Sequence, residues 1–97
     1  MYQPTISCTD ARNMLEQGAQ LIDVRNPQEF QRGALPGSVN IPLPVIRKAL
    51  KQLDRETPVL LYCNSGQRSG MAKCLLDACG FMLVHNLGSY ACIYECE

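Results

Sequence analysis

The feature that most constrains this fold is a short apolar run that ends in a cysteine. A glycine-containing loop and a helical pattern follow it. Residues 58–62 include Val59, Leu60 and Leu61 without polar alternation, which is typical of a strand buried on both faces of a parallel sheet. The polar segment that follows predicts a turn, with a helix beginning near Ser69. Cys63 is therefore expected at the carboxyl end of a core strand, where open α/β sheets bind ligands.

A loop of this kind favours the ionised form of a thiol. Backbone N–H groups that turn inward form an anion-binding nest, and the positive end of the following helix points the same way. Arg68 follows Cys63 by five positions and supplies a planar cation that can hold an oxyanion. The pattern predicts nucleophilic attack by Cys63 on an anionic substrate without a separate base.

Loop length separates the enzyme classes that use such a cysteine. Cysteine phosphatases place five residues between cysteine and arginine, whereas the sixth position after Cys63 is Ser69. The shorter loop forms a smaller cradle, which suits sulfur better than a bulky phosphoester. A simpler interpretation is that Cys63 is one more buried core cysteine. Gly66, Arg68 and the strand-loop-helix context favour the catalytic interpretation.

Composition excludes several partner classes. The chain has 97 residues, enough for a single domain over residues 1–97, and nine basic residues balance nine acidic ones. There is no basic stripe for nucleic acid and no apolar stretch of transmembrane length. The amino terminus lacks a signal-peptide pattern, so we expect a cytoplasmic protein with no nucleic-acid or membrane partner.

The six cysteines contain no Cys-x-x-Cys pair and no nearby histidine that would complete a familiar zinc site. We therefore expect no bound metal, and mostly reduced and buried thiols. Cys74 in particular is expected to face the core from the helix after the loop.

Strand and helix patterns alternate along the chain. Strands are predicted at residues 4–8, 21–24, 39–41, 58–62 and 82–85. Helices are predicted from Thr9 or Asp10 to Gln17, from Pro27, from Pro44, from about Ser69 to Gly80, and from Gly88 onward. This alternation predicts an α/β fold with a doubly wound, mostly parallel five-stranded sheet and helices on both faces.

The motifs, in order, resemble a single-domain rhodanese, the thiosulfate sulfurtransferase family. They are residues 21–25 (LIDVR), Glu29-Phe30, Gly33, residues 36–42 (PGSVNIP) and the loop Cys63–Arg68. The resemblance implies a rhodanese-like fold and an enzyme that takes sulfane sulfur from thiosulfate or another donor. The sulfur would be held as a persulfide on Cys63 and passed to cyanide or a thiol, with no cofactor.

The resemblance to rhodaneses implies which residues contact the substrate and which support the site. Substrate contacts are expected from the loop, at Asn64, Ser65, Gly66, Gln67, Arg68 and Ser69. Asp23 and Arg25 are expected to support the site, Asp23 by accepting loop amides and Arg25 by pairing with Glu29. His85, the only histidine, is expected to be a packing or surface residue.

Asn64 stands where many rhodaneses carry a second loop arginine, which predicts weaker affinity for thiosulfate than in an enzyme with two loop cations. Two alternatives stay open: a persulfide carrier that uses thiosulfate poorly, and a small cysteine phosphatase or arsenate reductase. The sequence does not identify the physiological donor or acceptor, the oligomeric state, or a second cysteine that resolves the persulfide.

Overall fold

A parallel sheet organises residues 4–89, the part of the chain that the computed structural model describes. The elements in chain order are α1 (Cys8–Glu16), β1 (Gln20–Asp23), α2 (Pro27–Arg32), β2 (Val39–Asn40), a 3₁₀ helix (Leu43–Gln52), β3 (Val59–Cys63), α3 (Gln67–Ala78) and β4 (Val84–Ser89). The strands of these residues pair in the order β2-β1-β3-β4, and every pairing is parallel. β3 therefore lies between two partners, as its unbroken apolar run predicts.

Helices cover both faces of the sheet, and successive side chains of β3 point alternately into the two cores that result. Val59, Leu61 and Cys63 join a cluster that includes side chains of the 3₁₀ helix and α3. Leu60 and Tyr62 point to the opposite face, in a cluster that includes Ala11 of α1. All five residues of β3 are buried, so this strand supplies apolar surface to both layers.

The prediction of five strands is wrong for the described residues, which form a four-stranded sheet. The difference lies at residues 4–8, where Ser7 caps α1 by accepting a hydrogen bond from the amide of Asp10. Thr5 N–H donates to the Asn86 carbonyl at 2.9 Å, while the return bond from Asn86 N–H goes to the Thr5 hydroxyl at 2.8 Å. Because a side chain replaces the backbone acceptor, no strand ladder forms.

Other predicted elements differ mainly in type or length. The helix that begins at Pro27 is confirmed, with a capping box between Asn26 and Glu29. The segment after Pro42 is a 3₁₀ helix and has no side-chain cap. Gly88 and Ser89 continue β4 instead of opening a helix, and the rest of that predicted helix lies outside the described residues. None of the described helices has the length and apolar character needed to cross a membrane.

β4 contains a bulge beside the centre of β3. Leu61 pairs with Asn86 but Tyr62 pairs with Gly88, so Leu87 is the extra residue. Gly88 has φ 88°, in the left-handed region that favours glycine. A Cβ on Gly88 would lie 3.0 Å from Pro4 Cγ. Pro4 cannot withdraw freely, since the hydrogen bonds between Thr5 and Asn86 hold the adjacent residue.

Gly88→Ala should lower the free energy of unfolding by about 2 kcal/mol, from the left-handed backbone and the contact with Pro4. Gly80→Ala is the matched control, because Gly80 has φ 90° but a Cβ added to it would meet nothing within 4 Å. We expect the control to lose about 1 kcal/mol. Urea unfolding of both variants measures the difference, and equal losses would contradict a role for the Pro4 contact.

Candidate active site

Cys63 is the last residue of β3, and its thiol is buried under the start of α3. Its Sγ accepts a hydrogen bond from the Gly66 N–H at 3.0 Å and lies 3.5 Å from the Ser69 hydroxyl oxygen. Gly66 has φ 90°, a left-handed conformation that turns the loop back over the sulfur. The loop thus directs a backbone N–H at the thiol immediately before α3 begins at Gln67.

These surroundings act in opposite directions on the ionisation of the thiol. Burial raises the pKa of Cys63, whereas hydrogen bonds to the sulfur from the backbone amides of Ser69, Ser65 and Gly66 lower it, as does the Ser69 hydroxyl when it donates its proton to the sulfur. The net effect is a pKa below the ordinary value of a cysteine. A larger thiolate fraction makes Cys63 a better nucleophile near neutral pH.

Arg68 does not stand alone beside the sulfur, because it forms a two-pronged ion pair with Glu29 of α2. Its Nη1 and Nη2 atoms lie 2.7 and 2.9 Å from the two carboxylate oxygens. The hydrogen bonds from Arg68 lower the pKa of Glu29 to about 2. Glu29 raises the pKa of Arg68, and the negative charge of Cys63 adds to that effect. The carboxylate of Glu29 and the sulfur of Cys63 thus both favour the charged form of Arg68.

Arg25 forms an ion pair with Asp23, and its positive charge also contributes to the lowered pKa of Glu29. Its Nη2 lies 2.6 Å from Asp23 Oδ2 and also donates to the Gly33 carbonyl at 2.7 Å. The Arg25 backbone N–H donates to Asp23 Oδ1 at 2.9 Å. Both residues are buried. They fix the end of β1 beside the loop, because a buried charge needs a paired and hydrogen-bonded partner.

Asn64 connects this buried pair to the Arg68 pair. Its Oδ1 accepts a hydrogen bond from Arg25 Nη1 at 3.2 Å, and its Nδ2 donates to Glu29 Oε2 at 2.7 Å. One polar network therefore joins the ends of β1 and β3 to α2 and the first turn of α3. The two arginines in it are matched by two carboxylates, so its formal charge is zero.

Asn86 of β4 is a component of the site that sequence reasoning missed. It is 1% exposed. Its Nδ2 donates to the Gly66 carbonyl at 3.0 Å, and its Oδ1 accepts from the Ser69 hydroxyl at 2.6 Å and from the Gly88 N–H at 2.9 Å. The signal that could have indicated it is a polar residue directly after the predicted strand 82–85 and before the apolar Leu87.

Two further residues of the predicted substrate loop differ from Ser69 in the exposure of their side chains. The side chains of Ser65 and Gln67 are exposed. His85 is partly buried, and its Nδ1 lies 3.5 Å from the Thr5 hydroxyl. Among residues 4–89 no three potential metal-binding side chains cluster together.

Two of the other described cysteines, Cys74 and Cys8, differ from expectation. Cys74 is exposed on α3, so the prediction that it faces the core is wrong. Cys79 is partly buried, and Cys8 is disulfide-bonded instead of reduced. Of the three free thiols in the described part of the chain, Cys63 alone is buried.

An apolar groove of about 500 Å³ adjoins Arg68. Its walls come from the end of β1, the start of α2 and the start of the 3₁₀ helix. The residues that line it are Val24, Asn26, Pro27, Pro42, Leu43, Pro44, Val45 and Arg68. The volume is in the range of pockets that hold small organic molecules.

Comparison with known proteins agrees with this geometry. The family model of the rhodanese-like domain matches residues 7–93. The chain belongs to the rhodanese-like domain family. The thiosulfate sulfurtransferase PspE of Escherichia coli is 38% identical over 69 residues, which are 69% of this chain and 66% of PspE. The uncharacterized protein YqhL of Bacillus subtilis is 38% identical over 90 residues, which are 90% of this chain and 71% of YqhL.

Solved structures show the same fold over almost the whole chain. The human single-domain sulfurtransferase TSTD1 superimposes with a TM-score of 0.86 and 29% identity, covering 98% of each chain. The rhodanese-like α/β fold, with a parallel sheet and helices, is therefore confirmed.

Glu29→Gln should lower the free energy of unfolding by about 1 kcal/mol at pH 7, because it removes a charge-assisted two-pronged pair. The folded-state pKa of Glu29 is about 2, below the ordinary glutamate value of 4.5. Its stabilising effect is thus complete above pH 4.5 and is lost as the pH falls toward 2. Urea unfolding between about pH 7 and pH 2.5 should show the wild type and the variant converging.

The control is Asp77→Asn, which breaks the exposed Lys73–Asp77 pair one helical turn apart. We expect this change to cost less than about 0.5 kcal/mol at pH 7. An equal loss in the two variants would show that the Glu29–Arg68 pair behaves as an ordinary surface pair.

Proposed function

We propose that this rhodanese-like domain is a sulfurtransferase that carries sulfane sulfur as a persulfide on Cys63. The observation that carries the proposal is the position of the Cys63 sulfur, buried at a strand end with the Gly66 N–H 3.0 Å away and a lowered pKa. The names of relatives such as PspE support the same reaction class. We propose further that residues 1–97 act as one domain in the cytoplasm, without metal or organic cofactor.

The reaction takes place in two displacements at sulfur. The Cys63 thiolate attacks the sulfane sulfur of thiosulfate, forming a new S–S bond while the old S–S bond breaks and sulfite leaves with its electron pair. Cyanide or a thiol then attacks the outer persulfide sulfur, and Cys63 leaves again as a thiolate. The net charge and the electrons balance in each step, so no external oxidant or reductant is needed.

The loop supplies the binding groups for both states. Amides of Ser65, Gly66 and Ser69 surround the sulfur and stabilise negative charge that develops on it. Arg68 can bind sulfonate oxygens only by sharing its guanidinium with Glu29. Asp23 and Arg25 support the loop through Asn64 and do not need to touch the substrate.

Thiosulfate treatment of the reduced protein should add one sulfur atom, and cyanide should then remove it as thiocyanate. Cys63→Ser should abolish both events because the nucleophile is gone. Cys74→Ser is the matched control, since Cys74 is a free thiol exposed on α3, and it should load as the wild type does. Intact-mass measurement checks the prediction. Loading that survives in Cys63→Ser, or no loading at all, would contradict transfer from thiosulfate through Cys63.

A second candidate is a carrier that takes its sulfur from an organic or protein persulfide and uses thiosulfate poorly. The pairing of Arg68 with Glu29 favours it, because a dianion gains little from an arginine that is already neutralised. The apolar groove beside Arg68 also exceeds what thiosulfate fills. Loading by an alkyl persulfide at concentrations where thiosulfate fails would identify this function.

Asn64→Arg should lower the KM for thiosulfate about threefold to tenfold at low ionic strength. The added cation increases the positive potential of the loop, and the gain should shrink as salt screens it. Saturation curves at two salt concentrations test this. Asn64→Gln keeps the amide without adding charge and is the control. A KM unchanged in Asn64→Arg would show that loop charge does not limit thiosulfate binding.

A further inference from the structure

Two buried side chains form a relay of hydrogen bonds that leads away from Cys63. The Ser69 hydroxyl oxygen lies 3.5 Å from Cys63 Sγ and 2.6 Å from Asn86 Oδ1. Ser69 is 0% exposed and Asn86 is 1% exposed. Water therefore does not compete for these groups, and the direction of each hydrogen bond is set by the protein.

The orientation of the Asn86 side-chain amide follows from its other contacts. Its Oδ1 accepts from the Gly88 N–H at 2.9 Å, and its Nδ2 donates to the Gly66 carbonyl at 3.0 Å. A flipped amide would set N–H against N–H and oxygen against oxygen at these positions. The atom that faces Ser69 is consequently the oxygen.

Ser69 has a single hydroxyl proton to share between two neighbours. Asn86 Oδ1 can only accept, so at 2.6 Å the Ser69 hydroxyl donates its proton to Asn86. The lone pairs of Ser69 are then left for Cys63, where they can accept a hydrogen bond from S–H. A thiolate at Cys63 receives the Ser69 proton only if the hydroxyl rotates and gives up Asn86.

We propose that Asn86 is a positioning residue that holds the Ser69 hydroxyl as an acceptor for the Cys63 thiol and withholds its proton from the thiolate. The resting thiolate then depends on the backbone amides of the loop. Ser69 adds its hydroxyl proton to an anionic sulfur only at the expense of the bond to Asn86. This inference rests on the proposed function only in taking Cys63 as the reacting sulfur.

The experiment measures the rate at which iodoacetamide alkylates Cys63 as a function of pH, followed on the Cys63 peptide by mass spectrometry. Four proteins are compared: wild type, Ser69→Ala, Asn86→Leu and the double variant. The reaction reports thiolate directly and uses no sulfur donor. Failure of this proposal therefore leaves sulfur transfer intact, and failure of sulfur loading leaves the alkylation profiles interpretable.

Ser69→Ala should change the rate below neutral pH by less than about twofold, because Ser69 stabilises the wild-type thiolate little. Asn86→Leu should raise that rate about threefold to tenfold, by freeing the hydroxyl to donate to the sulfur. The double variant should return to the rate of Ser69→Ala. This dependence on Ser69 separates a directional role of Asn86 from general loosening of the loop.

A roughly tenfold fall in Ser69→Ala would overturn the proposal, since Ser69 would then already donate to the thiolate. So would the absence of a rise in Asn86→Leu, or a rise that persists in the double variant. If Asn86→Leu does not fold, the Ser69→Ala profile decides alone, because Asn86 Oδ1 keeps the Gly88 N–H in that variant.

Charged groups near the site are the same in all four proteins. They are Glu29 of α2, Arg68 of α3, Asp23 of β1 and Arg25, which follows β1. A difference between the profiles therefore reports the hydroxyl and not a change in local charge.

Discussion

The site depends on a single constraint, which is that the strand carrying the nucleophile has no exposed residue. β3 is buried along its whole length, between β1 and β4 and under helices on both faces. Its side chains have no freedom to move, because each one fills space in one of two cores. The packing of the sheet thus determines the position of Cys63. Polar contacts are needed only to fix the conformation of the loop that follows Cys63.

Those polar contacts form a network in which every charge has a partner. Asp23 neutralises Arg25, Glu29 neutralises Arg68, and Asn64 joins the two pairs. The network holds the loop at the ends of two strands and the start of a short helix. Its neutrality has a chemical consequence. Anion binding at this site relies on fixed backbone dipoles more than on a surplus of side-chain charge.

Much of this arrangement could be predicted because its determinants are local in sequence. An apolar run, a glycine-containing loop and a proline at the first helical position each act over a few residues, and they predicted β3, the turn after it and the start of α2. The partner of Arg68 could not be read in this way. Glu29 lies 39 positions before Arg68, and the contact exists only once the sheet has formed. Asn86 escaped notice for the same reason, and the strand predicted at residues 4–8 does not form because the Thr5 hydroxyl replaces a backbone acceptor.

Dipoles and charges differ in how they hold a sulfur anion, and this difference bears on the choice of substrate. An amide such as that of Gly66 is directed at one point and is not screened by salt when it is buried. It stabilises a thiolate or a terminal persulfide sulfur at that point, whatever group the sulfur came from. An arginine without an acidic partner would instead strengthen the binding of a donor with more negative charge, such as thiosulfate. Under the proposed function, the pairing of Arg68 with Glu29 makes the site selective for the position of the sulfur and only weakly selective for the charge of the molecule that delivers it.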